Sequence, residues 1–365
     1  MLESDSMPRI SIVIPVFNAE THLRECLDSV RAQTFADWEC ICVDDGSTDG
    51  SPSVLAQYAT SDPRIRVVRR EHSNAGAARN AGMELARGEF LQFLDADDVF
   101  SPGMLETMLY ASKTSGADIA VCKVRMFHDG KSVPRLPSRA RNRVDAEYAN
   151  PATSLDIFHR FVGRVWDKLF RKAMIDRHGL RFQEIRTAND TRFVYCALAL
   201  AGKVAVVDVP LVAYRISGGS LERTRSKSPE CLGEAILSLH EEFRNRGLFR
   251  NGSMLETHLK KWTASVLFWN LDSIDTAAGC ERSYVLFSKM CGLLSLRDLL
   301  PDIREENPDC ADCLDMICKG FSPFEYLWFR HDKLRRELAS LRRGGLLRRA
   351  LRKIWKTAFR LRPQR

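Results

Sequence analysis

The chain has 365 residues, of which 45% are hydrophobic and 28% charged, a composition typical of folded globular proteins. Its length exceeds the usual size of one hydrophobic core, and its net charge of +8 is concentrated in residues 333–365, which hold 13 Lys and Arg but one acid. The remaining 332 residues hold 42 basic and 46 acidic side chains, which argues against a nucleic-acid-binding catalytic region and indicates that the C-terminus meets an anionic surface.

Strand and helix patterns alternate over the first 127 residues. Apolar, β-rich runs predict strands at 10–16, 38–43, 65–69, 90–94 and 118–126. Helical periodicity predicts helices at 20–33, 51–59, 75–86 and 102–115. This alternation is typical of an α/β fold in which helices cover both faces of a mostly parallel sheet.

The chain is less regular beyond residue 127. Residues 128–150 are basic and contain proline, which predicts a surface loop near the mouth of the site. Further helices are predicted at 154–162 and 189–201, and a strand at 204–209. We expect three regions: a sheet domain over 1–220, a helical region over 221–330 and a basic tail over 331–365.

The predicted compartment is the cytoplasm. The sequence has no run of 18 apolar residues, and its first residues lack the basic start and apolar core of a signal peptide. The 11 cysteines are an odd number scattered through predicted strands and helices. This pattern indicates reduced, buried thiols rather than a disulfide framework.

Two groups of carboxylates follow predicted strands. Asp44 and Asp45 come after the second strand, and Asp95, Asp97 and Asp98 come after the fourth. The carboxyl ends of strands in an open α/β sheet line the crevice where ligands bind, so both groups are expected there. Carboxylates gathered in one place need a cation or hydrogen-bond donors to offset their repulsion. The sequence therefore predicts a metal ion and a polyanionic ligand.

Two familiar phosphate-binding loops are absent from the sequence. The first strand is not followed by G-x-G-x-x-G, and no G-x-x-x-x-G-K-[ST] pattern occurs. Residues 45–50 resemble the start of a calcium loop, but the twelfth position is Ala56 rather than Glu, which argues against an EF-hand. A metal that bridges a diphosphate to carboxylates remains, and Asp95 to Asp97 supply oxygen ligands of the type that Mg²⁺ or Mn²⁺ prefers.

Four motifs resemble those of the family 2 glycosyltransferases, which have the GT-A fold. The resemblance covers about residues 8–220, and the four motifs in this order and spacing are highly specific. They are S-I-V-I-P-V-F-N at 11–18, V-D-D-G-S-T-D at 43–49, N-A-G-A-A-R-N-A-G at 74–82 and F-L-D-A-D-D at 93–98. The resemblance implies a nucleotide-diphospho-sugar transferase fold, with a helical region after it.

The resemblance also implies roles for residues that face the donor. Pro15 and Phe17 would border the nucleobase, and Asp45 would accept a hydrogen bond from its ring N–H, as expected for uracil. Asn74 and Arg79 lie on the segment that faces the donor. Arg79 would support the diphosphate or pair with the acidic loop at 45–50.

The remaining implied roles concern the metal and the general base. Asp95 would bind ribose or metal-bound water, and Asp97 would coordinate Mn²⁺ or Mg²⁺. The family usually has its base in a Glu-Asp pair that opens a helix after the metal motif. Here Asp190 fits the base, whereas Asn189 stands where Glu is commoner in the family.

Several residues have both a structural and a functional interpretation. Asp44 caps the turn into the next helix or takes part in the site. Lys168 reaches phosphate or acceptor, or packs beneath the site. Arg215 helps to close a lid over the diphosphate, and Glu20 is a functional acid or an ordinary first-turn acid. For the C-x2-C-x4-C run at Cys310, Cys313 and Cys318, packing on a helical hairpin is favoured over a zinc site.

The tail has the pattern of a basic amphipathic helix. Its apolar residues fall in one sector of a helical wheel and its Lys and Arg residues in the other, which suits an anionic membrane surface. The alternative is a helix that docks on its own protein or a solvated run. The apolar residues are Leu347, Leu351, Ile354, Trp355 and Ala358.

The predicted function is that of a metal-dependent, inverting glycosyltransferase. It would move a sugar from a nucleotide donor, expected to be a UDP-sugar, to a glycan or lipid-linked acceptor in bacterial surface-polysaccharide synthesis. The enzyme would work at the inner face of the cell membrane, and no nucleic-acid partner is expected. Two alternatives stay open. A sugar-1-phosphate nucleotidyltransferase would need a Gly- and Arg-rich, Lys-containing loop after the first strand, which is missing here. A catalytically silent, membrane-tethered protein that binds sugar nucleotides would not need Asp95, Asp97 and Asp190 together.

Overall fold

The computed structural model describes residues 7–128, 148–149, 156–216, 227–249, 253–274 and 276–343. The chain divides into two compact units. Unit 1 comprises Met1–Ser220 and Leu237–Phe249, and unit 2 comprises Leu221–Ile236 and Arg250–Arg365. The three regions expected from the sequence stay a prediction, and the predicted amphipathic stretch from Leu347 to Ala358 lies outside the described residues.

Unit 1 contains a sheet with flanking helices. Its strands are β1 (Ile10–Val16), β2 (Trp38–Asp44), β3 (Ile65–Arg69), β4 (Phe90–Phe93), β5 (Val99–Phe100), β6 (Ile119–His128), β7 (Tyr148–Ala149), β8 (Lys168–Arg171) and β9 (Lys203–Ile216). Its helices are α1 (Glu20–Arg31), α2 (Ser51–Ser61), α3 (Ala75–Leu85), α4 (Met104–Ser115), α5 (Ile157–Arg160), α6 (Lys172–Arg177) and α7 (Thr191–Leu200). Helix α8 (Glu230–Asn245) has residues in both units.

Within the described residues the nine strands form one mixed sheet. The order is β3-β2-β1-β4-β8-β6-β9-β5, and β7 pairs with β9. Strands β1 to β4 pair in parallel, because each is joined to the next through a helix that crosses over the sheet. Strand β8 lies between β4 and β6 and is antiparallel to both, and β5 and β7 are antiparallel to β9. The α/β fold class is confirmed, and parallel pairing dominates in the first half of the sheet.

The central strands are buried on both faces, which is why they are almost continuously apolar. Every residue of β2 is buried, and so is every residue of β1 except Pro15. Gly82 allows α3 to lie close to β1, since a Cβ atom there would be 2.3 Å from Cγ1 of Val13. The ends of β1, β2 and β4 are therefore held at fixed positions relative to α3.

Unit 2 is helical in its described part. Its further elements are α9 (Met254–Ser273), α10 (Ala277–Leu294), a 3₁₀ turn (Leu296–Leu299), α11 (Leu300–Glu306), α12 (Pro308–Cys318) and α13 (Pro323–Arg343). Side chains of Ser253, Thr276 and Asn307 cap the N-termini of α9, α10 and α12. None of the described helices has the combination of length and hydropathy needed to cross a bilayer.

The cysteines proposed as an alternative zinc site lie on α12. Cys310 and Cys313 are buried, and burial raises the pKa of the Cys310 thiol to about 12. In the described part of the chain, no group of three or more His, Cys, Asp or Glu side chains is arranged to hold a metal ion. These thiols pack as small apolar groups in the helical unit.

Candidate active site

The carboxyl ends of β1, β2 and β4 meet at one edge of the sheet, where each continues into a polar loop. Strand β1 ends before Phe17 and Asn18, β2 ends at Asp44 and β4 ends two residues before Asp95. Asn18 ties the first two loops together: its N–H donates to Ser47 Oγ (3.1 Å) and its Oδ1 accepts from Thr48 N (2.8 Å). The two predicted groups of carboxylates therefore share one edge.

Asp44 stabilises the turn after β2. It is buried, its Oδ1 accepts a hydrogen bond from Ser47 N (2.9 Å), and Oδ2 lies 3.6 Å from Nε of Arg69. The turn includes Gly46 with φ of +77°, where a Cβ atom would lie 2.9 Å from the backbone nitrogen of His72. These contacts support the structural interpretation of Asp44, as a residue that caps the turn. Glu20 also has a structural role, since its carboxylate accepts from Gly50 N (2.9 Å).

Asp45 is a buried carboxylate surrounded by hydrogen-bond donors. Ser73 N lies 3.2 and 3.1 Å from its two oxygens, and Nδ1 of His72 lies 3.0 Å from Oδ2. Nη1 of Arg70 lies 3.3 Å from Oδ1. These contacts fix the position of the side chain.

An aromatic pair covers this corner of the site. The rings of Phe17 and His72 stack with centroids 3.9 Å apart and planes inclined by 16°, and Phe17 is 45% exposed. Pro15 lies two residues before Phe17, on β1. It is partly buried and pairs with Val43 of β2. The arrangement offers a flat ring next to a fixed acceptor, which suits a planar heterocycle. Sequence analysis missed His72, because a lone His in a loop carries no pattern.

Asn74 is the N-cap of α3. Its backbone is extended, and its Oδ1 accepts a hydrogen bond from Ala77 N (3.0 Å). Gly76 follows in the first turn, where a Cβ atom would lie 2.0 Å from the carbonyl oxygen of Gln183 and 3.2 Å from Cβ of Asn189. The motif therefore starts a helix and brings it against the segment that carries Asn189. A contact of Asn74 with the donor stays a prediction.

Arg79 joins two parts of the site. It is 4% exposed, its Nη2 donates to Asp95 Oδ1 (2.5 Å) and its Nη1 donates to Asn189 Oδ1 (2.7 Å). The alternative pairing with the loop at 45–50 was wrong, because the guanidinium is directed to the turn after β4 instead. Support of a diphosphate by Arg79 stays a prediction.

The acidic turn, residues Asp95–Asp98, holds three carboxyl groups of different exposure. Asp95 and Asp97 are partly exposed, whereas Asp98 is buried and its Oδ1 accepts from Arg215 N (2.8 Å). Among the described residues, Oδ2 of Asp98 has no hydrogen-bond partner. Burial, together with the charges of Asp97 and Asp95, raises the pKa of Asp98 well above its usual value, which favours the neutral acid.

Arg215 anchors this turn from β9. It is buried, its Nε donates to the carbonyl oxygen of Asp97 (2.8 Å), and its Nη2 contacts Oε2 of Glu25. A role of Arg215 in closing a lid over the diphosphate stays a prediction, since residues 217–226 lie outside the described residues. The contacts of Arg215 fix the backbone that presents Asp97.

Asp190 lies at the start of α7 and is the candidate base. It is buried, and within the described residues its side chain makes no capping hydrogen bond. Burial raises the pKa of its carboxyl, the cations Arg164 and Arg79 oppose this rise, and Asp95 adds to it. Nη1 of Arg164 lies 4.0 Å from Oδ2. A buried carboxylate with a raised pKa that does not cap its own helix has the properties of a general base.

Lys168 packs beneath the site and does not face it. It is fully buried, and its Nζ donates to the carbonyl oxygens of Val162 (2.7 Å) and Arg164 (2.8 Å) and to Asp167 Oδ1 (2.6 Å). All three ammonium hydrogens are therefore used. The side chain fixes the loop from which Arg164 reaches Asp190, and Arg164 is a second residue that sequence analysis missed.

The donor set of the acidic turn fits a magnesium or manganese ion that is shared with a substrate. Such ions are commonly bound by one or two carboxylates and by substrate phosphates, rather than by a cage of protein ligands. Asp95 and Asp97 supply partly exposed carboxylates on one turn, and one Asp95 oxygen is already used by Arg79. Both carboxylates are therefore candidate ligands.

Comparison with known sequences identifies the class of protein. The model of the family described as glycosyl transferase family 2 matches residues 11–177. EpsH of Bacillus subtilis strain 168, which is named as a glycosyltransferase, is 35% identical over 265 residues, or 70% of this chain and 73% of EpsH. The succinoglycan biosynthesis protein ExoO of Rhizobium meliloti strain 1021 is 31% identical over 227 residues, or 60% of this chain and 64% of ExoO. The chain belongs to family 2 of the glycosyltransferases, as its motifs predicted.

Solved structures share the fold. The crystal structure of residues 1–349 of Staphylococcus aureus TarS in complex with UDP has a TM-score of 0.57 and 20% sequence identity, and the match covers 86% of this chain and 92% of that one. The mannosyltransferase PcManGT from Pyrobaculum calidifontis, in complex with GDP-Man and Mn²⁺, has a TM-score of 0.51 and 16% identity, covering 86% and 87%. At these identities the likeness concerns the fold alone, and it confirms the predicted GT-A fold.

Proposed function

We propose that this glycosyltransferase is inverting and metal-dependent, and that its donor is a UDP-sugar. The observation that carries the proposal is the pairing, at one edge of the sheet, of partly exposed Asp95 and Asp97 with buried Asp190, whose pKa is raised. The carboxylates of Asp95 and Asp97 suit a cation, and the carboxylate of Asp190 suits a proton. An inverting transfer needs both functions close to the same sugar.

The nucleotide end of the donor is assigned to the corner formed by Pro15, Phe17 and Asp45. The exposed ring of Phe17 offers a stacking surface, and the fixed carboxylate of Asp45 offers an acceptor for a ring N–H. UDP in the TarS complex favours uracil, whereas GDP-Man in the PcManGT complex shows that this fold also takes guanine. A screen of UDP, GDP and CDP by calorimetry separates these donors, and UDP is expected to bind most tightly.

The diphosphate is assigned to the acidic turn with Mn²⁺ or Mg²⁺. Asp97 would hold the ion, with Asp95 as a second ligand directly or through water. When bound, the ion would neutralise the negative charge that grows on the departing diphosphate. The Mn²⁺ in the PcManGT complex supports this assignment.

Asp190 is assigned the proton transfer. Its carboxylate takes the proton from an acceptor hydroxyl while that oxygen attacks the anomeric carbon from the face opposite the nucleotide. The bond from the anomeric carbon to the diphosphate breaks on the other face, so the configuration at that carbon inverts. The charges of Arg164 and Arg79 favour the ionised form of Asp190 and so oppose the effect of its burial on the pKa.

A donor assay tests this function. The enzyme is incubated with UDP-sugars with and without Mn²⁺, and free UDP, nucleotide triphosphate and transferred sugar are measured. Metal-dependent release of UDP with sugar transferred in inverted configuration is expected. Formation of UTP from pyrophosphate would reveal a nucleotidyltransferase, and binding without turnover would reveal a silent sugar-nucleotide-binding protein; either result overturns the proposal.

The acceptor is proposed to be a glycan or a lipid-linked sugar in surface-polysaccharide synthesis, with the enzyme peripheral on an anionic membrane. The succinoglycan role in the name of ExoO supports the product class. Phe324 (76% exposed) and Trp328 (67% exposed) lie four residues apart on α13, hence on one helix face. The sequence that follows, residues 344–365, holds eight Lys and Arg and no acid. Exposed aromatic residues next to basic ones are typical of interfacial binding.

Flotation with liposomes tests the membrane part. Wild type is expected to float with anionic vesicles and not with neutral ones, and a truncation after residue 343 or the pair Phe324→Ser and Trp328→Ser is expected to reduce flotation. Tyr110→Ser removes an equally exposed aromatic residue from α4 and is the matched control. Equal flotation of wild type and truncated protein would remove the membrane proposal and leave the glycosyltransferase proposal intact.

A further inference from the structure

One guanidinium connects two segments that are far apart in the sequence. Arg79 donates to Asp95, 16 residues away, and to Asn189, 110 residues away, at 2.5 and 2.7 Å. Asn189 directly precedes Asp190, so the same side chain contacts the acidic turn and the neighbour of the candidate base. Its burial shields both hydrogen bonds from water, which strengthens them relative to a surface pair.

The helix that carries Arg79 is itself clamped to the segment before Asp190. Next to Arg79, Asn80 accepts from Phe182 N (2.8 Å) through Oδ1 and donates to Phe182 O (3.1 Å) through Nδ2. The ring of Phe182 stacks on Phe193 of α7 at 4.0 Å between centroids, and Cζ of Arg79 lies 5.4 Å from the Phe182 centroid. The rigid support below Arg79 therefore extends to the helix that Asp190 begins.

The backbone and side chain of the two residues before Asp190 are held in fixed conformations. Ala188 has φ of +59°, a left-handed conformation that is costly for a residue with a Cβ atom. The side chain of Asn189 uses both ends: Oδ1 accepts from Arg79, and Nδ2 donates to Ile185 O (3.3 Å). Asn189 therefore links Arg79 to the bend at Ala188, and this bend sets the position of Asp190 at the start of α7.

We infer that Arg79 is a positioning residue that acts through Asn189 and holds Asp190 in register with the acidic turn. This inference rests on the proposed roles of Asp190 and the acidic turn, and it goes beyond them by assigning a task to Arg79 and Asn189. Asn189 serves because a neutral amide accepts from Arg79 without adding a second anion next to Asp190. Of the two hydrogen-bond partners of Arg79, only Asp95 carries a negative charge that balances the guanidinium.

A residue with only a structural role and a residue that positions the base are expected to give different kinetics. A residue that bound the diphosphate would change donor affinity, and a residue needed only for folding would change stability and affinity together. A residue that sets the place of the base changes kcat, because a displacement of about 1 Å costs on the order of 100-fold in rate. The split between kcat and the dissociation constant of UDP is therefore the informative readout.

The experiment is a double-mutant cycle on the full chain. Arg79→Met and Asn189→Ala are each expected to lower kcat by about 100-fold, while the dissociation constant of UDP without metal changes by less than about threefold. The double variant is expected to lose no more than the worse single variant, since both changes break one connection. Arg79→Lys, which keeps a charge and one donor direction, is expected to recover part of the loss.

Arg87→Met is the matched control. Arg87 also pairs with a carboxylate, that of Glu39, but this pair lies at the start of β2, at the opposite end of the strands from the site. The kcat of Arg87→Met is therefore expected to equal that of wild type. Multiplicative losses in the double variant, or a loss of UDP affinity that accounts for the lower activity of Arg79→Met, would overturn the inference. UDP binding by each variant also shows that it has folded.

Failure of the inference is separable from failure of the proposed function. If Asp190→Asn keeps normal transfer, the proposed base is wrong whatever Arg79 does. If Asp190→Asn is inactive but Arg79→Met retains kcat, only the positioning role is wrong. Within the Asp190→Asn background, Arg79→Met is expected to add no further loss.

Discussion

The loop after β2 and the acidic turn after β4 have similar sequences but different surroundings. In the first, Asp44 and Asp45 are buried, and their oxygens accept from the backbone N–H groups of Ser47 and Ser73. In the second, Asp95 and Asp97 keep exposed surface, and arginine side chains hold the turn from below. Backbone donors make a carboxylate a fixed acceptor, whereas partial exposure leaves oxygens available to a ligand.

This difference explains how one residue type does three tasks. Asp44 builds a turn, and in the proposed function Asp45 presents an acceptor to the nucleobase and Asp97 offers a metal ligand. Asp190 adds a fourth environment, because it is buried at the start of α7 and, in the described part of the chain, its side chain makes no capping hydrogen bond, which suits a proton acceptor. The task follows from the donors around each carboxylate rather than from the carboxylate itself.

The largest expected effect comes from Asp190→Asn. Loss of a positioned base lowers rates by about 10²- to 10⁴-fold, so kcat for transfer is expected to fall by that factor while UDP affinity is retained. The folded protein is expected to gain stability, because burial raises the pKa of Asp190 and its ionised form therefore opposes folding at neutral pH. Kinetics and thermal unfolding check the two parts, and a variant that loses both activity and stability would contradict the account.

A smaller effect is expected at the nucleotide corner. Asp45→Asn removes a charge-assisted acceptor worth about 1.5–3 kcal/mol, which corresponds to about 10- to 100-fold in the dissociation constant of UDP. Asp44→Asn keeps an oxygen for Ser47 N–H and is the control, with UDP affinity expected to stay within about threefold. Calorimetry with both variants tests the contrast, and equal losses would show that the two residues are not distinct.

The pH dependence of kcat gives a further test. The base must be ionised, so kcat is expected to fall tenfold per pH unit below the pKa of Asp190, which burial places above the usual value of about 3.9. The loss occurs as pH falls, since protonation removes the acceptor. A rate that stays constant down to about pH 4 would contradict the raised pKa.

The smallest effects are on stability within the acidic turn. Because burial and the charges of Asp97 and Asp95 raise the pKa of Asp98 well above its usual value, Asp98→Asn removes a carboxyl group whose charged form is disfavoured, and it is expected to change the free energy of unfolding by less than about 1 kcal/mol. Asp98→Ala leaves Arg215 N–H without its acceptor and is expected to cost about 1–3 kcal/mol. Denaturant unfolding measures both, and a costly Asp98→Asn would mean that Asp98 is ionised.

Local patterns predicted the first half of the fold well. Strands β1 and β3 have the predicted bounds, because each is an apolar run between two helical patterns. Strand β1 is buried on both faces, whereas β3 is an edge strand with three exposed residues. The insertion of β8 between β4 and β6 was not predicted, since pairing of a four-residue strand with partners 47 to 81 residues away depends on tertiary packing. Helix α4 starts at Met104, two residues later than predicted, because Pro102 and Gly103 form a turn first.

The motifs predicted which residues lie at the site, but not what they contact. Asp95, Asp190 and Arg79 were all named from the sequence, yet the link from Arg79 to Asn189 spans 110 residues and has no local signature. The stacking of Phe17 on His72 and the approach of Arg164 to Asp190 also join separate segments. Such contacts are set by how the helices lie against the sheet.

The most direct test of the central claim is the metal dependence of UDP binding, measured by calorimetry on wild type and Asp97→Asn with and without Mn²⁺. The account predicts that Mn²⁺ tightens UDP binding to wild type by at least about tenfold, and that Asp97→Asn keeps the weaker metal-free affinity but loses this gain. Equal tightening in both proteins, or no effect of Mn²⁺ on wild type, would contradict it.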